Sequence, residues 1–428
     1  MKKPAGPEEI LRKKHQYLIP CVYHFYAEPM QIVRGEMQYL FDHTGRRYLD
    51  CFAGVSVVNC GHCHPDIVKA VCEQAATLQH TTTIYLTQPI VDLAERLAAI
   101  APGRLGKSFF CASGSEANEG AALLASLATG RNEFISLRQG LHGRTKLAMS
   151  LTGLQMWRAD TSPVGGVSFA PNPYCFRCPL GSRRDGCDLA CADAVETLIK
   201  TTTSGQVAAM FVEPIQGNGG VITPPPGYFQ RLREILDRYG VLLVVDEVQT
   251  GFGRTGRMFG IEHFGVEPDI MTMAKALANG TPVGAFITND ELAAKFTRPS
   301  ASTLGGNPVT ASAALATLDV IAKHGLADRA AILGDRLKAG LTALMERHPV
   351  IGDVRGLGLM LGAELVRPDN APAAAETDLV LEMMKDRGFL VGKNGLYRNV
   401  LAFQPPLVVS AADIDDLLTA LDDVLGRL

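Results

Sequence analysis

Short apolar runs alternate with longer helical patterns between residues 61 and 310, and this alternation constrains the fold more than any other feature. The apolar runs, each typical of a buried strand, are 108–112, 133–137, 207–213, 241–246 and 284–288. The helical patterns around them are 66–78, 89–100, 116–128, 192–201, 227–239 and 309–323. This order predicts an α/β fold whose mainly parallel sheet has helices on both faces. In such folds, ligands bind at the carboxyl ends of the strands.

The same pattern predicts how the chain divides into domains. Its 428 residues are enough for roughly two or three domain-sized pieces. Residues 61–310 form a large domain, and residues 1–60 form an N-terminal arm with short strands that belongs to a smaller domain. Residues 311–428 supply the rest of that smaller α/β domain, with helices predicted at 327–347, 376–387 and 411–426 and a strand at 358–365.

Charge and hydropathy argue against several classes of partner. The formal net charge of −3 does not favour a polyanion such as nucleic acid, and no apolar run is long enough to span a bilayer. Residues 1–14 carry charges of both signs, including Glu8 and Glu9, around no apolar centre. That pattern is typical of neither a secretory signal nor a mitochondrial transit peptide. We therefore expect a cytoplasmic protein that binds neither nucleic acid nor membranes.

One lysine and one aspartate are candidates for covalent chemistry. Lys275 lies in a mostly apolar stretch, 269–277, and Asp246 ends the strand predicted at 241–246. A lysine in apolar surroundings has a lowered pKa, which frees its amine to form a Schiff base. An acid in reach of the same site can keep a pyridinium nitrogen protonated, as pyridoxal phosphate (PLP) chemistry requires. Taken alone, Lys275 is equally a solvated helix residue and Asp246 a turn residue at a strand end.

A turn of small residues is a candidate phosphate site. The strand at 108–112 runs into Ser113, Gly114 and Ser115, and an alanine-rich helical pattern follows as far as Thr129. Glycine lets a ligand approach the backbone closely. With Ser115 as the predicted N-cap, the free N–H groups of the first helical turn form an anion site. An ordinary capped helix after a strand has the same sequence pattern.

Several motifs occur in one order along the chain. They are Ser-Gly-Ser-Glu-Ala-Asn-Glu (113–119), His-Gly-Arg-Thr (142–145), Glu-Pro-Ile-Gln-Gly (213–217), Asp-Glu-Val-Gln-Thr-Gly-Phe-Gly-Arg-Thr-Gly (246–256), Lys275, and Thr-Leu-Gly-Gly-Asn-Pro (303–308). Over nearly the whole chain, this order resembles the class III aminotransferases, which are PLP enzymes of fold type I. Within that family, residues 24–26 and 61–65 resemble those of the alanine–glyoxylate aminotransferases of the mitochondrial type.

The resemblance implies a role for each matching residue. Lys275 forms the Schiff base with PLP and moves a proton, while Asp246 pairs with the pyridinium nitrogen. Gln249 faces the ring hydroxyl, and Glu213 lies near the ring on the substrate side. The implied cofactor-binding residues are Ser113, Gly114, Ser115, Leu141, His142, Glu213, Asp246, Val248, Gln249, Lys275 and Thr303.

The resemblance also implies an activity and an assembly. An amine or amino acid of the β-, ω- or alanine type gives its amino group to pyruvate or glyoxylate. Thr303 reaches the cofactor phosphate of a neighbouring subunit, which implies a homodimer with shared active sites; whether two dimers form a tetramer stays open. Racemases and lyases, including phospho-lyases, use the same fold and the same lysine–aspartate pair. A non-catalytic scaffold or redox sensor is a third hypothesis, which the intact Lys275 and Asp246 disfavour.

Two positions depart from the pattern of the family. An aromatic residue commonly precedes His-Gly-Arg, whereas this chain has Leu141, which covers less of the cofactor ring. Many relatives carry an arginine at the place of Ala402, where it holds the substrate carboxylate through two parallel bonds. Arg398 lies four residues earlier and is either a substitute from another direction or a solvated surface charge. We expect weak use of glutamate and better use of amines or of amino groups distant from a carboxylate.

Four cysteines cluster in a segment at 172–191, which we predict to be an insertion in the large domain. Cys175, Cys178, Cys187 and Cys191 have metal-ligand spacing, C-x2-C-x8-C-x3-C. The segment has no histidine, and Arg177, Arg183 and Arg184 can offset the charge of a thiolate-bound cluster, which favours iron–sulfur over zinc. Two disulfides or four free thiols are the alternatives, and a reducing compartment disfavours the disulfides.

Overall fold

The structure, a computed structural model, describes residues 5–181 and 187–428. Its strands, numbered along the chain, are β1 (Ile32–Glu36), β2 (Tyr39–Asp42), β3 (Arg47–Asp50), β4 (Lys107–Cys111), β5 (Glu133–Leu137), β6 (Val167–Ala170), β7 (Val207–Val212), β8 (Leu242–Asp246), β9 (Ile270–Met273), β10 (Gly284–Thr288), β11 (Ile351–Leu357), β12 (Met360–Leu365), β13 (Phe389–Leu390), β14 (Gly392–Asn394) and β15 (Val400–Phe403).

The helices are α1 (Pro7–Tyr17), α2 (Ala53–Ser56), α3 (Pro65–Thr77), α4 (Gln88–Ile100), α5 (Gly114–Thr129), α6 (Lys146–Leu151), α7 (Ala190–Thr202), α8 (Tyr228–Tyr239), α9 (Asp290–Ala293), α10 (Pro308–Lys323), α11 (Leu326–Arg347), α12 (Ala374–Asp386) and α13 (Ala411–Leu425). Short 3₁₀ helices cover Gln155–Trp157, Gly260–Phe264 and Lys275–Ala278. α2 differs from the others, because its backbone turns in the left-handed sense.

The largest sheet in the described residues has seven strands in the order β4-β10-β9-β8-β7-β5-β6. Neighbours from β9 to β6 are parallel, and β10 is antiparallel to both β9 and β4. Strands β7 and β10, both predicted, are buried along their whole length. A strand that is covered on both faces reads as a continuous apolar run, which is why the sequence pattern was visible. The predicted α/β fold with a mainly parallel sheet is confirmed.

Alternate residues of the central strands pack on opposite faces of this sheet. Phe211 and Val244 point to one face, where they meet the alanines of α5. Met210 and Val245 point to the other face and join the larger core beneath α8 and α10. The period of two follows from the pleat of a strand. Helices therefore cover both faces, and only the strand ends are available to a ligand.

Two smaller sheets lie outside the central one. One has the order β1-β2-β3-β13 and joins the N-terminal strands to residues 389–390, and the other is antiparallel with the order β11-β12-β15-β14. The first therefore combines N- and C-terminal parts of the chain. The domain boundaries at 60 and 310 stay a prediction.

Most of the predicted elements agree with the observed ones to within two residues. Two strands of the central sheet were missed, and no bounds were predicted for the strands β1, β3, β11, β13, β14 and β15 of the smaller sheets. The prediction omitted β6 and β9, each only four residues long. A strand of that length has too few residues to display a period, so its existence depends on pairing with β5 and β8 across the sequence. Within the described residues, no helix combines the length and apolar character needed to cross a membrane.

Candidate active site

Five strands of the central sheet end at the same edge, and a predicted site residue follows each of them. Because β4 runs in the same direction as β5, β7, β8 and β9, their carboxyl ends meet there. The residues that follow or end these five strands, in chain order, are Gly114, His142, Glu213, Asp246 and Lys275. The topology therefore brings together residues that are up to 161 positions apart in the sequence (275 − 114).

Lys275 is the second residue after β9 and begins a short 3₁₀ helix. Its φ of 47° is left-handed, which is uncommon for a residue with a side chain and is often found at functional sites. The side chain is partly exposed to a cavity, but its amine lies deep in the protein. Burial lowers the pKa of Lys275, and the nearby carboxylates of Asp246 and Glu213 oppose part of that shift. The amine is therefore easier to deprotonate than an exposed lysine.

Asp246 is a buried carboxylate with three donors. Its Oδ2 accepts from Asn118 Nδ2 at 2.8 Å and lies 2.8 Å from His142 Nδ1, while its Oδ1 accepts from the Val248 amide at 3.0 Å. Burial alone would lower the pKa of His142, but the hydrogen bond and charge of Asp246 outweigh it and raise that pKa. The carboxylate is thus fixed in orientation at the end of β8.

Asn118 is a residue of this site that the sequence reasoning did not single out. Its amide donates to the His142 carbonyl at 2.7 Å as well as to Asp246, and its Oδ1 accepts from Thr272 Oγ1 at 2.8 Å. Asn118 thereby ties α5 to β8 and β9. An asparagine within an alanine-rich helical pattern is the signal that could have drawn attention to it, because asparagine is a weak helix former.

The small-residue turn is present, but its N-cap is not the predicted residue. Ser113, not Ser115, is the N-cap of α5, and its hydroxyl accepts from the Glu116 amide at 3.3 Å. Ser115 lies inside the first turn, where its hydroxyl accepts from the Arg144 amide at 3.0 Å. A Cβ on Gly114 would lie 3.0 Å from Val248 Cγ1, so glycine keeps the turn close to the strand that carries Asp246.

These groups surround one cavity of about 320 Å³. Its lining comprises Val57, Ala112, Ser113, Gly114, Ser115, Asn118, Leu141, His142, Gly143, Asp246, Val248, Ala274, Lys275, Gly280, Thr281, Pro282 and Val283. A poised amine, an oriented carboxylate and a helix N-terminus therefore share one space. These residues fit PLP, because each supplies the group that its aldehyde, its ring nitrogen or its phosphate needs.

Glu213 and Gln249 lie behind the wall of this cavity. Glu213 is buried, and its two carboxylate oxygens accept from the amides of Leu141 at 2.9 Å and Gly217 at 3.1 Å. Burial raises the pKa of Glu213 to about 7. Gln249 is also buried and donates to Gln404 at 3.1 Å.

Thr303 lies apart from this cavity in its own chain. It lines a second cavity of about 270 Å³ together with Tyr85, Leu86 and Asn307, among other residues. If Thr303 contacts a cofactor, that cofactor is bound by another chain.

Of the two departures from the family pattern, Leu141 lines the cavity and Ala402 does not. Ala402 is fully buried in a small apolar cluster with Ile215, Val221 and Met360, against which Phe52 packs. The guanidinium of Arg398 lies 5.4 Å from the ring centroid of Phe25 and donates to the Lys393 carbonyl at 3.0 Å. Leu141 lines the cavity, as the sequence order predicts.

The four clustered cysteines follow the carboxyl end of β6. The pKa of Cys191 is raised to about 12, first by burial and then by the neighbouring Cys187 and Cys175. Arg177 pairs with Glu364. Within 5–181 and 187–428, no group of three or more His, Cys, Asp or Glu side chains is arranged to hold a metal ion. The predicted metal centre therefore has no support there, and the predicted roles of Arg183 and Arg184 fall outside the described residues.

The fold and the site define a PLP-dependent enzyme of fold type I. Residues 24–425 match the family described as "Aminotransferase class-III". The chain belongs to this family, so the predicted resemblance is confirmed.

Two curated relatives and one solved structure illustrate the similarity. The chain is 45% identical to alanine–glyoxylate aminotransferase 2 homolog 2, mitochondrial, of Arabidopsis thaliana, over 99% of this chain and 89% of that protein. It is 38% identical to a leucine/methionine racemase of Thermococcus litoralis, over 98% of this chain and 95% of that protein. A PLP-bound amine transaminase from an uncultivated Pseudomonas species is 32% identical, with a TM-score of 0.90 over 96% of this chain and 98% of that one.

Proposed function

We propose that this class III aminotransferase takes an amino group from a primary amine, alanine, or a β- or ω-amino acid and transfers it to pyruvate or glyoxylate. The observation that carries the proposal is Ala402, whose methyl group stands at the place of the family's carboxylate-binding arginine and packs in a buried apolar cluster. The similarity to an alanine–glyoxylate aminotransferase supports the choice of acceptor.

In this proposal the residues of the chain have separate tasks. Bound PLP supplies an electron sink when a proton leaves the amino-bearing carbon of the substrate. Nζ of Lys275 holds the cofactor and, once released, carries that proton, which its lowered pKa favours. Asp246 keeps the ring nitrogen protonated, and Asn118 and His142 hold its carboxylate in place. The N-terminal turn of α5 binds the phosphate.

The substrate side selects against a second carboxylate. An α-carboxylate bound by two parallel arginine bonds gains a charge-assisted contact, which a methyl group cannot replace. Ala402 presents only a methyl group within an apolar cluster. Glutamate brings two carboxylates, alanine and β-alanine bring one and a simple amine brings none, so the missing arginine disfavours glutamate most.

The test follows the first half-reaction alone. Donors are added to the holoenzyme without acceptor, and the absorbance of the bound cofactor is followed. Alanine, β-alanine or a simple amine should react at least about tenfold faster than glutamate, which corresponds to the loss of one strong charged contact. Pyruvate or glyoxylate should then restore the spectrum. A Lys275→Ala protein should show no such cycle, and a far faster reaction with glutamate would contradict the proposal.

The second candidate function is racemisation, which the similarity to a leucine/methionine racemase favours. The products separate the candidates: transfer yields a carbonyl product and a new amino acid, and racemisation yields the mirror-image amino acid. Elimination by a lyase or phospho-lyase would release ammonia. A carbonyl product and a new amino acid, each formed in equal amount to the amine consumed and without release of ammonia, support transfer.

We also propose that two copies of the chain share their active sites. Large apolar side chains beside Thr303 face solvent in the single chain: Leu86 is 99% exposed and Ile84 82% exposed. Single exposed apolar residues are ordinary, but a contiguous group favours a protein interface. A second copy that covers this surface would also bring Thr303 towards a phosphate it cannot reach in its own chain.

A metal centre on the four clustered cysteines stays a prediction separate from the proposed reaction. The transfer steps above need no metal. Metal analysis of protein purified without oxygen tests it, and less than stoichiometric iron and zinc would remove it.

A further inference from the structure

The segment α2 has an unusual backbone. Its four residues, Ala53, Gly54, Val55 and Ser56, have φ values of 50°, 63°, 68° and 57°. The amides of Val55 and Ser56 both donate to the Phe52 carbonyl, so the segment forms one turn of left-handed helix. Left-handed backbone is disfavoured for any residue with a Cβ and most of all for a β-branched valine. Such a turn persists only where its surroundings hold it.

Asp50 holds the start of this turn. Its Oδ1 accepts from the amides of Phe52 at 2.9 Å and Ala53 at 2.8 Å. Its Oδ2 lies 2.7 Å from His62 Nε2. The entry into the turn is therefore fixed by one carboxylate with three partners.

Gln404 holds the end of the turn. Ser56 Oγ donates to Gln404 Oε1 at 2.8 Å, and both residues are fully buried. The backbone amide of Gln404 donates to the Cys51 carbonyl at 2.7 Å, beside the entry to the turn. Since Gln404 follows β15, the C-terminal sheet reaches across to residues near the beginning of the chain.

The same oxygen of Gln404 also accepts from Gln249. The distance from Gln249 Nε2 to Gln404 Oε1 is 3.1 Å. The side-chain nitrogen of Gln404, Nε2, has no hydrogen-bond partner in the described residues. A Cβ on Gly217 would lie only 2.1 Å from Gln249 Oε1, so a glycine leaves the space that this amide fills. Gln249 is thus held from behind by Gln404.

Each end of this chain of bonds is next in sequence to a residue that lines the active-site cavity. Val57, the residue after the left-handed turn, lines the cavity. Gln249 follows Val248, which lines it from the side of β8. The link Ser56–Gln404–Gln249 therefore connects the turn before Val57 with the residue that the family resemblance places at the ring hydroxyl of the cofactor.

We propose that Gln404 is a positioning residue, which locks the left-handed turn at 53–56 to Gln249 and so fixes Val57 and the cofactor ring relative to each other. The part that concerns the turn depends only on the contacts of this chain. The part that concerns the cofactor rests on the proposed function.

Hydrogen exchange of the cofactor-free protein tests the first part. In a Gln404→Met variant, the amides of Ser56 and Val57 should exchange about tenfold faster than in the wild type, because a buried hydrogen bond is lost. Ser56→Ala should have the same effect on these two amides. Gln216→Met is the matched control, since Gln216 is a buried glutamine that donates to the Arg138 carbonyl and not to the turn. It should leave exchange at 53–57 unchanged.

The holoenzyme tests the second part. Gln404→Met should weaken PLP binding about fivefold and move the pH midpoint of the cofactor absorbance change, because Gln249 loses its anchor. Ser56→Ala should change the PLP affinity and the pH midpoint less than Gln404→Met does. Unchanged exchange at 53–57 in both variants would overturn the proposal. Faster exchange with an unaltered pH midpoint in Gln404→Met would overturn its cofactor part while leaving the proposed transfer reaction untouched. If Gln404→Met does not fold, the exchange rates of the Ser56 and Val57 amides in Ser56→Ala decide whether the bond to Gln404 holds the turn.

Discussion

At the residue scale, the site is organised around the carboxylate of Asp246. Sequence reasoning identified Asp246 and Lys275, because an acid at the end of a buried strand and a lysine in an apolar stretch are visible locally. It could not identify Asn118 or Gln404, because their partners lie 128 and 155 positions away in the chain. Such contacts are created by the fold: the asparagine in an alanine-rich helical pattern is a local hint at position 118, whereas no local pattern indicates the role of Gln404.

Asn118→Ala tests the support of Asp246. The substitution removes a donor from Asp246 and leaves Thr272 Oγ1 and the His142 carbonyl without that partner. We expect a loss of about 2–4 kcal/mol in the free energy of unfolding and about tenfold weaker PLP binding. Denaturant unfolding and cofactor titration measure both.

Asn289→Ala is the control for that variant. Asn289 caps the short helix α9, so its loss should cost about 1 kcal/mol of stability and leave PLP affinity unchanged. Wild-type cofactor affinity in Asn118→Ala would contradict the role given to Asn118.

The raised pKa of the buried Glu213 carboxyl should make the stability of the protein depend on pH. Burial raises its pKa to about 7 in the folded protein, against about 4.3 in an unfolded chain. Between those values the folded state binds more protons, so this group makes stability fall as pH rises through the window. Melting temperatures of the cofactor-free protein from pH 5 to 8 should fall less in Glu213→Gln than in the wild type. An equal or steeper fall in the variant would refute this assignment.

At the scale of elements, a close backbone contact explains why Gly334 lies inside α11, a helix of 22 residues. A Cβ on Gly334 would lie 2.2 Å from the backbone of Gly358, in the turn between β11 and β12. A Cβ on Gly358 would in turn meet the Thr255 backbone at 2.3 Å. Helix, turn and the loop after Asp246 are therefore in direct backbone contact. The sequence predicted this helix from its period but gave no sign of that contact, because it joins three distant segments.

Gly334→Ala and Gly340→Ala form a matched pair in the same helix. Alanine favours a helix by about 1 kcal/mol over glycine at either position. At 334 the new Cβ meets backbone, which cannot move away, whereas at 340 it meets the end of the Leu418 side chain, which can rotate. We expect Gly334→Ala to be less stable than Gly340→Ala by about 2 kcal/mol in denaturant unfolding. Equal stability of the two variants would show that the turn at 358 is free to shift.

At the scale of the whole molecule, the parallel sheet explains why five distant segments form one site. Their order was predictable, because alternating strands and helices place strand ends on one edge. The homodimer stays a prediction that rests on the resemblance, and Thr303 lies outside the cavity that contains Lys275 in its own chain. In the proposed function, the single chain supplies the groups for the aldehyde, the ring nitrogen and the phosphate at α5, and the proposed partner would add one more contact to the phosphate.

Mixed dimers test the shared site. Lys275→Ala removes the amine from a chain, and Thr303→Glu places a negative charge where the partner's phosphate would bind. Each variant alone should be nearly inactive. When the two are unfolded and refolded together, about half of the dimers are mixed and each contains one intact site, so about a quarter of the wild-type activity should return. Activity no greater than that of the separate variants would contradict a shared site.

The most direct test of the account is the identity of the lysine that binds the cofactor. The holoenzyme is reduced with borohydride, which makes a Schiff base permanent, and its peptides are analysed by mass spectrometry. We predict that the pyridoxyl group is found on Lys275, at one per chain, and that Asp246→Asn lowers the rate of amine transfer without moving the label. A label on any other lysine, or none at all on a protein that still transfers amines, would contradict the account.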